Sequence, residues 1–301
     1  MDDVVLPFQI ADTAVRGRVV RLSGAIDGIL SAHEFPAAVS ELLGEAVALV
    51  AMMGASLKFD GKLIFQAQGA GPVPLIVADY TSGGDLRATA KAEDAELPRG
   101  ARALLGDGSI VMTIDQGADM DRYQGVTPIE GETLADIAAA YFAQSEQIPT
   151  IVKLAVGRIQ TPGEGEQWRA GGLMAQFVPQ EGGGQGGERG IAAALSGEDS
   201  EIWNRAQAFI DTVQPDELLD PSIRAETLLY RLFHEDGVRV FDASPLRAAC
   251  SCNADKIAAV LSRYGEDDLQ DMVEEGEITV TCEFCRKDYR FSPKGELLTG
   301  E

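Results

Sequence analysis

All four cysteines of this 301-residue chain fall in its last 52 residues, at Cys250, Cys252, Cys282 and Cys285. The pattern is C-x-C, 29 intervening residues, then C-x-x-C. Four cysteines are too few to staple a chain of this length. Clustered thiols in a reducing compartment point to metal or redox chemistry. Four thiolates match the tetrahedral preference of zinc, and a closed set of four sulfurs is the structural kind of site. A thioredoxin-like use of Cys282-Glu283-Phe284-Cys285 is disfavoured, because that motif normally opens a helix and here a strand is expected to follow. A catalytic zinc is disfavoured too. Such sites keep an open position and usually take His or carboxylate ligands, and the chain has only His33 and His234. Two readings stay open: a zinc site that only holds a small domain together, and a site whose thiols switch between metal binding and disulfides. Four cysteines allow three disulfide connectivities.

Charge narrows the partners. The chain carries 25 Lys plus Arg against 48 Asp plus Glu, a net charge of −23. Nucleic-acid affinity rests largely on basic side chains, and anionic lipid selects them as well. Neither nucleic acid nor membrane is therefore expected as a partner. Met1-Asp2-Asp3 has the wrong sign for a signal-peptide start. The longest nearly apolar stretch, 46–55, falls far short of the roughly 18 residues of a membrane span. A cytoplasmic location is expected. No G-x-S-x-G, Walker loop or paired-histidine helix is present, His33-Glu34 does not fit the H-x-E pattern of deaminases, and the chain is not expected to be an enzyme.

Periodicity divides the rest of the chain. Segments 4–10, 14–22, 62–68, 73–80, 85–91, 110–115, 152–159 and 172–178 read as strands, and 36–57 and 133–146 as helices. Neighbouring strands with few helices between them predict an antiparallel or mixed sheet, hence an α+β fold. Gly182-Gly183-Gly184-Gln185-Gly186-Gly187 reads as a flexible hinge. Its G-x-G-x-x-G match carries little weight without a surrounding strand–helix unit. Residues 199–235 read as amphipathic helices, one with the stripe Ile202, Ala206, Phe209, Ile210 and Val213. A second is expected to start at Asp220 and Pro221, with Leu228, Leu229, Leu232 and Phe233 as its stripe. Such helices are marginal alone, because docking of the apolar face supplies most of their stability. In the last region Asn253 is expected to cap a helix reaching Tyr264. A short helix follows over 267–275, then two strands joined by the second cysteine pair. The expected domains are 1–181, an N-terminal sheet-and-helix domain; 182–243, a Gly-rich hinge and helical linker; and 244–301, a small C-terminal four-cysteine zinc domain. The linker is the most acidic part, with 5 basic and 13 acidic groups over 181–243.

These residues resemble a known family, the redox-regulated 33 kDa heat-shock chaperonins (heat shock protein 33). The likeness rests on the C-x-C and C-x-x-C spacing, the Arg231–Glu235 segment and Cys282-Glu283-Phe284-Cys285. It extends to Tyr141-Phe142-Ala143-Gln144-Ser145-Glu146-Gln147 followed by Pro149-Thr150, and to Ala170-Gly171-Gly172 with Gln176-Phe177-Val178-Pro179. Leu43-Gly44-Glu45 and Leu57-Lys58-Phe59 also fit. The resemblance implies an ATP-independent holdase. In the reduced, inactive form Cys250, Cys252, Cys282 and Cys285 hold one zinc ion. On oxidation Cys250–Cys252 and Cys282–Cys285 form disulfides, zinc leaves, and the C-terminal domain and linker unfold. The protein then dimerises and binds unfolding client proteins.

The magnitudes favour unfolding on such an exchange. A region of about 55 residues is marginal on its core alone. Structural zinc supplies an apparent ~10–16 kcal/mol, whereas disulfides closing loops of three or four residues supply roughly 1.5–2 kcal/mol each. The alternative is a constitutive zinc-stabilised binding module without redox switching.

Overall fold

The computed structural model describes residues 2–57, 60–92, 96–117, 120, 122–161, 165–178 and 197–299. The glycine run at 182–187, Lys58-Phe59 and Pro179 lie outside them. The chain forms two compact units, Met1–Ala248 and Ala249–Glu301.

The alternation of apolar residues near the N-terminus produces β1 (Val4–Ile10) and β2 (Val15–Leu22). Helices α1 (Gly24–Leu30) and α2 (Ala37–Gly54) follow, then β3 (Lys62–Gly69), β4 (Leu75–Thr81) and β5 (Asp85–Lys91). Helix α3 (Ala101–Leu105), β6 (Gly108–Asp115) and β7 (Tyr123–Pro128) lead to α4 (Leu134–Tyr141), which widens into a π-turn over Phe142–Glu146. The helix expected over 133–146 is thus α-helical only for its first part. Thr133 caps it, accepting from the Asp136 backbone N–H at 3.1 Å. Two long strands, β8 (Thr150–Thr161) and β9 (Gly165–Phe177), close the first half.

One sheet runs β8-β9-β2-β1, and the other β5-β4-β3-β6-β7, antiparallel throughout. Helix α2 packs against strands of both sheets. Of its 18 residues, 14 are buried. A helix clad on all sides is apolar all round. That explains why α2, long and apolar enough by composition to cross a membrane, sits as a core helix with 78% of that stretch buried.

The other face of the β8-β9-β2-β1 sheet carries α5 (Glu198–Asp211), α6 (Pro215–Leu219) and α7 (Ala225–Phe233). Trp203, Ala206, Ile210 and Val213 of the α5 region, and Leu228, Leu229 and Phe233 of α7, are buried against Phe8, Val19, Leu173 and Phe177. The expected helix start at Asp220-Pro221 is not where the helix begins. Asp220 ends α6, its side chain accepts from the Ser222 N–H at 2.8 Å, and α7 starts only at Ala225. Asp before Pro served a turn rather than a cap, a use open to Asp by the same hydrogen-bonding chemistry.

The chain then returns to both sheets. Strand β10 (Val238–Val240) and the two-residue β11 (Ser244–Pro245) pair with β1, and β12 (Arg247–Ala248) lies parallel to β5. The second unit contains α8 (Ala254–Leu261), α9 (Glu266–Asp271) and a three-stranded sheet of β13 (Ile278–Thr281), β14 (Asp288–Phe291) and β15 (Leu297–Thr299). Helix α9 ends well before the expected Glu275, because Glu274 and Glu277 form a bridge around Glu275 and Gly276, both at positive φ. The architecture is α+β, as the strand pattern predicts.

Candidate metal centre

Two local structures deliver the four thiols. Cys250 and Cys252 lie in the non-helical stretch before α8, whose cap is Asn253 with extended backbone. The tight C-x-C pair, unusual beside C-x-x-C, places both its sulfurs in one cluster with those of the second pair. Lys256 steadies this stretch by donating from Nζ to the Ser251 carbonyl at 2.7 Å.

Cys282 and Cys285 sit on the connection between β13 and β14. The Cys282 N–H donates to the Lys287 carbonyl, and the Arg286 N–H to the Cys282 carbonyl, both at 2.9 Å. Arg286 closes the turn at φ 58°, in the left-handed region. Thr281 Oγ1 donates to Asp288 Oδ1 across the strand ends at 2.5 Å.

All four Sγ atoms lie within 4.8 Å of one another, and each residue is half-buried. Cys250 Sγ is 3.7 Å from Cys282 Sγ, and Cys252 Sγ is 3.4 Å from Cys285 Sγ. All four are free thiols. A regular tetrahedron of sulfurs around zinc, with Zn–S of about 2.3 Å, has edges of about 3.8 Å. The donor set and its spacing fit a closed four-thiolate site. Among the described residues, this is the one group of His, Cys, Asp and Glu side chains close enough to hold an ion. The histidines stand elsewhere: His33 stacks on Phe35 at 4.6 Å, and His234 caps the end of α7 beside Tyr230.

The thiols are electrostatically unequal. Burial raises Cys252, but hydrogen bonds from Tyr289 and the neighbouring thiols outweigh it and bring the pKa down to about 7. Burial, with hydrogen bonds to its neighbours, pushes Cys285 up to about 12, and burial raises Cys250. Hydrogen bonding to the charged form of an acid lowers its pKa and burial raises it.

Tyr289 is a residue the sequence reading missed. Its hydroxyl lies 3.2 Å from Cys252 Sγ, and its ring is buried in the core of the unit beneath Lys287 Nζ. The alternation of Tyr289 with Phe291, both inward on β14, is the signal that marks it.

The family model described as "Hsp33 protein" matches residues 3–292. The 33 kDa chaperonin of Caulobacter vibrioides (strain NA1000 / CB15N) is 49% identical over 98% of this chain and 96% of its own length. That of Azotobacter vinelandii is 36% identical over 96% of this chain and 91% of its own. In fold, the chain resembles the crystal structure of the 33 kDa chaperonin of Thermotoga maritima, with a TM-score of 0.79 at 23% identity, covering 97% of this chain and 96% of that one. The relatives are named chaperonins, a non-enzymatic class. By a match spanning nearly its whole length, the chain belongs to the Hsp33 protein family and is a chaperone.

Proposed function

We propose that the chain is a redox-regulated, ATP-independent holdase. In the reduced form Cys250, Cys252, Cys282 and Cys285 hold one zinc ion, and the protein is inactive. A bound zinc ion would supply folding free energy to the second unit and keep its four donors as thiolates. With a peroxide as oxidant, each pair of thiolates gives up two electrons and the peroxide takes two protons from solvent, giving one disulfide and two waters. Disulfides Cys250–Cys252 and Cys282–Cys285 remove all four donors, and the metal is lost.

What supports this is the meeting of four free sulfurs within 4.8 Å in a unit whose described core holds only Leu261, Leu269, Ile278, Tyr289 and Phe291 as buried apolar side chains. Without the metal so small a core is marginal. Ala248, the last residue of β12, is two residues from Cys250. Unfolding around the cysteines therefore removes the anchor at the end of the 182–243 linker, whose helices stay in place only by docking. Release bares Leu228, Leu229 and Phe233 together with the sheet face beneath them. Apolar patches of this kind bind other chains, here unfolding client proteins, and the oxidised protein dimerises. Its net charge of −23 helps keep a loaded complex dispersed in the cytoplasm.

The test is a count of zinc and free thiols before and after peroxide treatment, run beside an aggregation assay with a thermally unfolding client. One zinc and four thiols should fall to none, and only the oxidised form should suppress aggregation. A zinc that survives, or equal activity in both forms, would sink the proposal.

A further inference from the structure

On the sheet face that carries α5–α7, two arginines point into the seat of α6 and are almost completely buried, Arg21 at 2% and Arg169 at 7% exposure. Arg21 on β2 donates to the main-chain carbonyls of Glu217, at 3.4 Å, and Asp220. Arg169 on β9 donates from Nε to the Leu219 carbonyl at 3.0 Å, and its other arm bonds Asp2 Oδ2 at 2.7 Å. Gly171 stands opposite Arg21 in register and two residues along β9 from Arg169. A Cβ on Gly171 would come within 2.3 Å of the Leu218 carbonyl oxygen. The cradle therefore admits backbone, not merely side chains. Its ligands are carbonyls from the last turn of a helix, groups that lack partners inside any helix. Fixed guanidinium forks suit such acceptors well. Around the cradle the surface is apolar, with Leu6, Phe8, Val19, Leu173 and Phe177.

We infer that Arg21, Gly171 and Arg169 form a main-chain carbonyl site that recognises client proteins, and that α6 occupies it in the resting protein as an internal stand-in. The occupant is a segment of an unfolding chain that is apolar and still ends in a helical turn with free carbonyls. α6 presents that chemistry: Leu218 and Leu219 are buried in the apolar face while the carbonyls of 217, 219 and 220 meet the arginines. Once vacated, the site leaves both guanidiniums facing outward with Asp2 as their shared side-chain partner, 3.5 Å from Arg21 Nε and 2.7 Å from Arg169 Nη2, and their remaining N–H groups are open to the carbonyls of an equivalent ligand. The inference rests on the proposed release of the linker.

The full chain is tested in two released forms, with calcium-free α-lactalbumin, whose helices persist without fixed packing, as the probe. One form is the oxidised wild type. The other is reduced Phe233→Ser, which weakens the linker's apolar seat without oxidation. Arg21→Gln and Arg169→Gln, each introduced into both forms, should weaken probe binding at least tenfold. Arg→Lys, which keeps the charge but not the fork, should restore only part of it. Gly171→Ala, which keeps both arginines, should weaken binding as well. Unchanged binding in the arginine variants overturns the inference, as does failure of both released forms to bind the probe. Binding by the Phe233→Ser chain but not by the oxidised wild type overturns the redox proposal and leaves the carbonyl site standing.

Discussion

Around the four cysteines, five buried apolar side chains serve a unit running from Ala249 to the C-terminus. In Met1–Ala248, α2 alone buries 14 residues between two sheets, and a second cluster fills the opposite face of one of them. The contrast shows at the surface. Val260, Tyr264, Met272, Leu297 and Leu298 of the small unit are all more than a third exposed. The two sheets and α2 bury apolar surface enough to stand by themselves, whereas the second unit, on the proposed function, depends on bonds between its sulfurs and a metal. The proposed switch requires a unit built in this way, with its stability concentrated in a few atoms that the oxidant can reach. The same dependence makes the two units separable by experiment.

The largest effect should follow removal of one donor. Cys282→Ser leaves three thiolates, so most of the ~10–16 kcal/mol that a structural zinc supplies is lost. Amide exchange in 249–299 should rise to that of an unfolded chain, while exchange in α2 stays slow. Protection that persists in the small unit without zinc would break the comparison, because its core would then suffice alone.

A second test goes to the large unit. Burial and the neighbouring Glu41 carboxylate raise the pKa of Glu45 on α2 to about 7. The unfolded chain holds this group near 4.5, so the native state binds its proton more tightly. Stability from this group is therefore fully present below about pH 4.5 and is lost as pH rises through 7. A shift of this size corresponds to about 3–4 kcal/mol. Glu45→Gln should raise the urea midpoint of the first unit at pH 8 and leave it nearly unchanged at pH 4. Zinc content should not respond at either pH. An equal gain at both pH values would show that the carboxylate is not the cause.

How far such positions can be read from sequence differs between the units. Most strands of the first unit announced themselves by alternation, and the cysteines by spacing; β7 did not, because Gly125 and Pro128 interrupt its six residues. The short strands β10, β11 and β12 did not, because two or three residues carry no period and pair only where an existing edge receives them. Asp220-Pro221 misled, since the chemistry that caps a helix also closes a turn. Arg21 and Arg169 look like ordinary strand charges in sequence. Their burial makes sense only once the α6 region, 50 residues beyond Arg169 and 196 to 199 beyond Arg21, places its carbonyls against them. Gly171 stands inside an Ala-Gly-Gly motif whose physical reason, the Leu218 carbonyl, is equally remote in sequence.

The smallest effect tests whether metal binding and folding are one equilibrium in the second unit. Asn253 Oδ1 accepts from the Lys256 backbone N–H at 2.8 Å, capping α8 one residue after Cys252. Replacing such a cap by Ala costs about 1 kcal/mol. If the unit folds only as it binds zinc, that cost appears in the binding constant. Asn253→Ala should then weaken zinc affinity about fivefold, measured by competition with a chelating dye, although Asn253 supplies no ligand. Because a given peroxide concentration would then meet a larger metal-free fraction, oxidation should also proceed faster. Unfolding of Met1–Ala248 in urea should not move. An unchanged zinc affinity would mean that the C-x-C segment is ordered before the metal arrives, and the small unit would be less dependent on its sulfurs than its core suggests.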